Sequence, residues 1–160
     1  MKLVAIFILC LFAAVTARAD EASQCQANGG VYLTGTVTKG LNFVHGHPRD
    51  GVELSHTHLR LRSDQDGRSY DVAIDNVFAT GYDAAQESVP APLSTIRTGD
   101  RLELCGKLYA HGGSGIDWVH TDCGEPPSAA QPDGWLKVLS ADRTIGPNLE
   151  DSQEYCRLWQ

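Results

Sequence analysis

LSHTHLRLRSDQDGRSYDVAID, residues 54–75, carries the strongest structural signal in the sequence. Its two ends, residues 54–62 and 68–75, alternate apolar and polar side chains, as strands with one buried face do. Asp66-Gly67 stands between them, and this dipeptide is a strong signal for the tight turn of a β-hairpin. The stretch therefore predicts two antiparallel strands joined by a short turn.

Further short segments with the same strand character lie on both sides of this hairpin. They are residues 31–38, 101–110, 116–123 and 134–139. The connection over residues 79–97 contains two prolines and separates the third predicted strand from the fourth. An all-β chain of five to six strands with one long connection is typical of a small antiparallel barrel, and the OB type fits best. Closure into a barrel also removes exposed strand edges.

The N-terminus begins with one lysine and an unbroken apolar run that ends in Ala17-Arg18-Ala19. This pattern predicts a signal peptide over residues 1–19. No other apolar run approaches the about 20 residues that span a bilayer. We therefore expect a periplasmic or secreted protein without a transmembrane segment in its mature chain. Residues 20–160 are expected to form a single domain, in which residues 140–160 are a C-terminal tail.

The charge of the chain is acidic. It has 13 Lys and Arg against 20 Asp and Glu, and removal of residues 1–19 leaves 11 basic residues, a net charge of −9. Nucleic-acid binding relies on basic side chains that displace counterions, so this charge argues against a nucleic-acid partner. A small ligand, an oligosaccharide or another exported protein is the expected partner.

Four cysteines remain after export. They are Cys25, Cys105, Cys123 and Cys156. An even number of cysteines in an exported chain predicts two disulfides. If HGGSG, residues 111–115, turns between two paired strands, Cys105 and Cys123 lie almost equally far from the turn centre. We therefore predict a cross-strand Cys105–Cys123 bridge, which leaves a Cys25–Cys156 bridge between the two ends of the chain.

This pairing assigns the side chains of the strand after the HGGSG turn to its two faces, because successive side chains alternate. If Cys123 points outward, Trp118, His120 and Asp122 point toward the barrel interior or its mouth. Burying a histidine and an aspartate without partners is costly. One interpretation is a general base that a carboxylate orients, or a pair of metal ligands. The other is a structural pair that holds a turn.

Six motifs follow one another along the chain: TGTVT, SHTHLRL, DVAIDNV, RTGDRLELCGKLY, GGSGIDWVHTD and DGWLKV. In this order they resemble the bacterial domain-of-unknown-function family 3465, a group of small proteins expected to be OB-like. The similarity covers about residues 31–139. Its most specific positions are Gly99, Asp100, Gly106, Trp118, His120, Asp122, Gly134 and Trp135.

The resemblance implies a ligand-binding site but no reaction. The residues of that site are His56, Asn76, Trp118, His120, Asp122 and Trp135. The chain departs from the family pattern at Asp117 and Thr121, where the family tends to carry histidine. It departs again at Cys123, where the family tends to carry proline.

Histidines elsewhere in the chain suggest a transition metal, Zn or Cu, as a possible cofactor. The candidate ligands are His45, His47, His56 and His58. Each pair is spaced i, i+2, so on a strand each pair shares one face, and imidazole suits these metals. The alternation with Leu59 and Leu61, however, places His56 and His58 toward solvent, away from His120. Without a CxxC or HExxH motif, a surface histidine cluster is the alternative interpretation.

These patterns favour a ligand- or protein-binding module that uses a barrel face near His56, Asn76, His120 and Trp135. The first alternative is a small hydrolase, either metal-dependent or based on His and Asp. In that case the catalytic candidates are His120, Asp122 and His56. A further alternative is an inhibitor or immunity-type protein. The sequence has no Gly-x-Ser-x-Gly motif, and its cysteines are expected to be oxidised, so no nucleophile is indicated.

Overall fold

The computed structural model describes residues 20–110 and 113–159 of the chain. The predicted signal peptide, residues 1–19, lies outside the described residues. Within them the chain is mostly β. The strands are β1 Val31–Val44, β2 Pro48–Arg49, β3 Val52–Glu53, β4 His56–Ser63, β5 Ser69–Asp75, β6 Arg101–Tyr109, β7 Gly115–Asp117, β8 Trp135–Leu139 and β9 Ile145–Asn148.

Within residues 20–110 and 113–159, helical structure is limited to short segments. Residues 20–27 form an α-helix, α1, and 3-10 helices occupy Asn76–Phe78, Leu93–Thr95 and Cys156–Trp159. None of the helices in the described part of the chain has the length and hydropathy of a membrane span.

Seven of the described strands form one sheet in the order β1-β4-β5-β7-β6-β8-β9, and β2 pairs with β3 in a separate hairpin. The long strand β1 has two neighbours, since residues 35–44 pair with β4 and residues 31–36 pair with β6. The pairings therefore run from β1 through β4, β5, β7 and β6 back to β1. The expectation of purely antiparallel pairing is wrong at one place, because β7 runs antiparallel to β6 and therefore parallel to β5.

The predicted hairpin over residues 54–75 is confirmed. β4 and β5 pair antiparallel, from Arg62 opposite Ser69 at the turn to His56 opposite Asp75 at the far end. Gly67 adopts the positive φ of 71° that the turn requires. One face of the hairpin is buried in the main hydrophobic core. That core contains Leu33, Val37, Leu59, Leu61, Tyr70, Val72, Ile74, Ala79, Leu93, Ile96, Leu102, Leu104, Ile116, Val119 and Leu136.

The described part of the chain contains two disulfides, but the predicted pairing of the cysteines is wrong. Cys25 is bonded to Cys105, and Cys123 is bonded to Cys156. The predicted Cys105–Cys123 and Cys25–Cys156 bridges therefore do not form. The Cys105 side chain is fully buried.

The path of the chain after β7 explains why Cys123 does not reach Cys105. β6 and β7 do pair antiparallel, as predicted. The predicted strand over residues 116–123 is nevertheless cut short, because β7 ends at Asp117 and Trp118 has a φ of 57°. This left-handed conformation is rare for a residue other than glycine and does not continue a strand. The chain therefore turns away from β6 before it reaches Cys123.

The observed Cys25–Cys105 bridge follows from the position of α1 at the start of β1. Gly30 donates its backbone N–H to the carbonyl of Cys25 at 2.9 Å and so ends the helix beside the sheet. Two residues later, Tyr32 pairs with Cys105. A Cβ at Gly30 would lie 2.4 Å from the Cys105 sulfur, so the close approach of the disulfide requires glycine there.

The C-terminal segment forms the second bridge because it runs alongside residues 121–122. Thr121 donates its backbone N–H to the carbonyl of Glu150 at 2.9 Å, and the Gln153 side chain donates to the carbonyl of Asp122 at 3.3 Å. The 3-10 helix Cys156–Trp159 then packs into a second apolar cluster. Its buried members are Val52, Val77, Phe78, Tyr82, Cys156 and Leu158.

Candidate functional site

A pocket of about 310 Å³ lies where the open end of the β4–β5 hairpin meets the segment after β7 and the C-terminal 3-10 helix. Its walls combine aromatic and apolar side chains with histidines and carboxylates. The lining residues are Leu54, Ser55, His56, Asp75, Val77, Phe78, Trp118, His120, Asp122, Cys123, Glu125, Gln131 and Trp159.

Asp75 connects two histidines at this pocket. Its Oδ1 lies 2.7 Å from Nε2 of His56, and its Oδ2 lies 3.4 Å from Nε2 of His120. The hairpin itself brings His56 and Asp75 together, because they are directly opposite in the pairing of β4 with β5. His120 comes from the segment after β7, so only the tertiary structure brings it to Asp75.

The His120 ring is held on all sides. Its side chain is 5% exposed, and the Phe78 ring stacks on it with centroids 3.6 Å apart and planes 4° apart. The Trp118 ring lies beside it at 5.4 Å. Nδ1 lies 2.8 Å from the carbonyl oxygen of Thr121 and donates to it, since a carbonyl only accepts. Both ring nitrogens of His120 therefore have a partner.

The three side chains influence one another's ionisation. Burial raises the pKa of Asp75, but hydrogen bonds from His120 and His56 outweigh burial, so that the pKa lies well below its usual range. The hydrogen bond with Asp75 raises the pKa of His56, although burial opposes the shift. The ionised carboxylate and the protonated His56 ring thus stabilise each other.

We expect Asp75→Asn to remove this mutual stabilisation. The pKa of His56 should fall toward its ordinary 6.5, and the free energy of unfolding should fall by about 2 kcal/mol, a typical value for hydrogen bonds to a charged group. Asp75 stabilises the fold above its ordinary pKa of 3.8, and His56 does so below 6.5. The stability that Asp75→Asn loses should therefore be greatest between these pH values and should shrink as pH rises through the raised pKa of His56.

NMR titration of the histidine rings and urea unfolding at pH 5 and pH 8 measure both effects. Asp71→Asn is a matched control, because Asp71 accepts a 2.8 Å hydrogen bond from His58 on the same hairpin. That variant should leave the pKa of His56 unchanged. An unchanged pKa of His56 in Asp75→Asn would contradict the assigned pairing.

Glu150 is a buried carboxyl group that sequence reasoning did not identify. It is completely buried, and neither carboxylate oxygen has a hydrogen-bond partner among the described residues. Burial raises its pKa well above the usual range, and the negative charges of Asp75 and Asp151 add to the shift. The structure therefore favours its protonated, uncharged form.

Four of the residues implied as a site line this pocket: His56, Trp118, His120 and Asp122. The predicted pairing of His120 with Asp122 is wrong, because the carboxylate beside His120 is that of Asp75. Asp122 instead accepts a hydrogen bond from the backbone N–H of Gly124. Its role there is to hold a turn.

The expectation that His56 lies away from His120 is also wrong, since both rings reach Asp75. The left-handed turn at Trp118 redirects the chain, so the alternation of a continuous strand does not apply to His120. Counting outward equally from the Asp66-Gly67 turn places Asp75 opposite His58, two residues from its observed partner His56. The local turn signal therefore did not identify the contact between His56 and Asp75.

The other two implied residues do not line the pocket. Asn76 is buried beneath it, where its Oδ1 accepts from Thr57 at 2.6 Å and its Nδ2 donates to Ser55 at 3.0 Å. Trp135 packs against the Cys25–Cys105 bridge on another side of the sheet. Both are therefore structural in their observed contacts.

Three of the four histidines considered as metal ligands, His45, His56 and His58, each contact a different carboxylate. His45 lies 2.9 Å from Glu53, and His58 lies 2.8 Å from Asp71. His47 is exposed. Across residues 20–110 and 113–159, no group of three or more His, Cys, Asp or Glu side chains is arranged to hold a metal ion.

A second, more open depression of about 450 Å³ lies on the other side of His56. Its central carboxylate, Asp71, accepts hydrogen bonds from His58 at 2.8 Å and from the Tyr109 hydroxyl at 2.6 Å. Because these polar groups are already paired with one another, the aromatic pocket is the better candidate for a ligand site.

The hydroxyl and sulfur groups that line the aromatic pocket have partners other than histidine. Ser55 Oγ lies 3.1 Å from the Tyr82 hydroxyl and accepts from the Asn76 amide. Cys123 is oxidised in its disulfide. The described lining thus offers aromatic walls and hydrogen-bonding groups, and none of its hydroxyl or thiol groups is paired with a histidine.

No model of a known protein family matches the sequence, and no curated protein is similar to it at a significant level.

Proposed function

We propose that this chain is an exported, small-ligand-binding module of OB-like fold whose ligand enters the aromatic pocket. The observation that carries the proposal is a concave site of about 310 Å³ whose lining includes Phe78, Trp118 and Trp159. These rings surround a network in which Asp75 contacts both His56 and His120. Small-molecule sites are typically clefts of about 300–1,000 Å³ with mostly apolar walls and a few placed polar groups.

The strand pairings support the OB-like part of the proposal. The cycle from β1 through β4, β5, β7 and β6 back to β1 is consistent with a five-stranded closed barrel and so supports it. The resemblance to domain-of-unknown-function family 3465 supports the same fold. Two disulfides support export, because disulfides persist in oxidising compartments outside the cytosol.

A hydrolase is the second candidate, and the contact between Asp75 and His56 favours it. A carboxylate on one imidazole nitrogen can orient the ring as a general base. His56 keeps 35% of its side chain exposed and lines the pocket. Binding is the better supported function because both nitrogens of the more central His120 are occupied and Asp122 caps a backbone amide.

A fragment screen by NMR on the purified, oxidised protein tests the binding proposal. We expect a subset of small aromatic or aliphatic fragments to shift the ring resonances of His56 and His120. Trp159→Ala should weaken these fragments at least tenfold, because Trp159 lines the pocket and is exposed enough, at 36%, to be replaced without loss of the fold.

Leu108→Ala is the matched control, since Leu108 is also an exposed large apolar residue, at 44%, and lies outside the pocket. It should leave fragment affinity unchanged. The proposal fails if no fragment perturbs the two histidines, or if Trp159→Ala binds every fragment as well as the unaltered protein does. Release of product from a hydrolysable fragment would favour the second candidate instead.

A further inference from the structure

We infer that the ligand of this pocket is a small organic cation, in which a positively charged ammonium group is surrounded by apolar substituents. This inference rests on the proposed function, since it names the chemical class that the same pocket would bind. Three features of the pocket support it: the identity of its aromatic walls, the cations that already lie over those rings, and the sign of its charge.

The walls contain two tryptophans, the side chain whose ring face attracts cations most strongly. Trp118 and Trp159 both line the pocket, together with Phe78. The ring centroids of Phe78 and Trp159 are 5.3 Å apart with planes 32° apart. Several tilted aromatic rings around one cavity are the arrangement by which proteins recognise substituted ammonium groups.

Both tryptophans already attract cations of the protein itself. The Lys107 ammonium lies 5.7 Å from the Trp118 ring centroid, and the Arg49 guanidinium carbon lies 5.7 Å from that of Trp159. Within about 6 Å such contacts are attractive. Neither Lys107 nor Arg49 is among the residues that line the pocket, so both approach the rings from outside it.

The charge of the lining selects against an anion. Among the described residues that line the pocket, every permanently charged side chain is acidic: Asp75, Asp122 and Glu125. Asp75 is paired with His56 and His120. Even with both histidines protonated, three negative charges face two positive ones, so the lining remains negative. No ion pair within residues 20–110 and 113–159 neutralises Asp122 or Glu125.

These features act on different parts of one ligand. The tryptophan rings favour a cation with large apolar substituents over a strongly hydrated cation, because the apolar groups are buried against the rings. Asp122 and Glu125 attract the charge over a short range in water. A substituted ammonium group satisfies both demands, whereas a carboxylate or phosphate satisfies neither.

Three probes of nearly the same shape separate charge from shape: choline, 3,3-dimethylbutan-1-ol and 3,3-dimethylbutanoate. They carry one positive charge, no charge and one negative charge. In calorimetric titrations of the oxidised protein we expect choline to bind at least tenfold more tightly than the alcohol. We expect no measurable binding of the carboxylate.

Two variants locate the effect in the pocket. Glu125→Gln should weaken choline about threefold and leave the alcohol unchanged, because Glu125 supplies charge and is exposed. Glu87→Gln removes an exposed carboxylate outside the pocket and should change neither affinity.

Equal binding of choline and the alcohol, or tighter binding of the carboxylate, would overturn the cation class and leave the binding function intact. If none of the three probes binds, the cation class is also overturned, and the fragment screen decides separately whether the pocket binds ligands. Choline binding that survives Trp159→Ala undiminished would show that the cation binds elsewhere and would equally overturn the inference.

Discussion

Replacing Cys123 and Cys156 together by alanine is expected to lower the free energy of unfolding by about 4 kcal/mol and to release one wall of the pocket. The bridge joins residues 33 apart in sequence, and the chain-entropy model gives that figure for a loop of this length. The bridge also holds the 3-10 helix that carries Trp159 against Phe78. Without it, apolar contacts such as that of the buried Leu158 and a few hydrogen bonds, such as that from Gln153 to Asp122, keep the segment in place.

Urea unfolding measures the loss of stability. Trypsin digestion measures the release of the C-terminal segment that forms one wall of the pocket. Cleavage after Arg157 should become at least tenfold faster in the double variant, under conditions where circular dichroism shows that the sheet is intact. The matched control replaces Cys25 and Cys105, which are 80 residues apart in sequence. Its free energy of unfolding should fall by a similar amount, about 4.5 kcal/mol, but cleavage at Arg157 should not become faster.

Peptide mapping without reduction provides an independent check on the pairing itself. Peptides that contain Cys25 should be linked to Cys105, and those that contain Cys123 to Cys156. Equal cleavage rates in the two double variants, or a Cys105–Cys123 linked peptide, would contradict the assignment of the C-terminal segment as a wall of the pocket.

Gly106→Ala is expected to destabilise the fold by about 3 kcal/mol, near the upper end of the usual cost of overpacking. A Cβ at Gly106 would lie 2.4 Å from the backbone oxygen of Asp117 and 2.8 Å from a methyl carbon of Val119. The Asp117 oxygen cannot retreat without disturbing the pairing of β6 with β7. The displaced segment leads directly into His120, so the stacking of His120 on Phe78 should change as well.

Gly40→Ala is the matched control in β1. A Cβ there meets nothing closer than the Thr98 hydroxyl at 3.7 Å, which is an ordinary contact. Thermal or urea unfolding should therefore show a change of less than about 0.5 kcal/mol for this substitution, because the added methyl group meets no close contact. If both variants lost the same small amount of stability, the close approach of β7 to Gly106 would be wrong. NMR of the His120 ring would then be unaltered in Gly106→Ala.

The parts of the fold that depend on neighbouring residues could be predicted from the sequence. The β4–β5 hairpin is an example, because the alternation of side chains and the Asp66-Gly67 turn are local properties. The same local signals identified the regions of β1, β6 and β8. The resemblance marked Gly106 as a specific position. The reason that glycine is required there is a tertiary contact, the close approach of Asp117 and Val119.

The parts that depend on one backbone angle or on distant packing could not be predicted. A single positive φ at Trp118 ends β7 six residues before Cys123 and thereby changes both the disulfide pairing and the direction of His120. Nothing local in the sequence marks that angle, because tryptophan rarely adopts it. The resemblance implied a site of six residues; His56, Trp118, His120 and Asp122 line one pocket, and Asn76 and Trp135 do not.

The sequence by itself therefore determined the β-rich character, the central hairpin, the acidic charge and the presence of two disulfides. Only the tertiary structure decided which cysteines pair, that Asp75 rather than Asp122 stands beside His120, and that Trp159 completes the pocket. The physical reason is the range of the interactions. Strand alternation and turns depend on adjacent residues, whereas disulfides, stacked rings and buried ion pairs join segments that the chain brings together only when it folds.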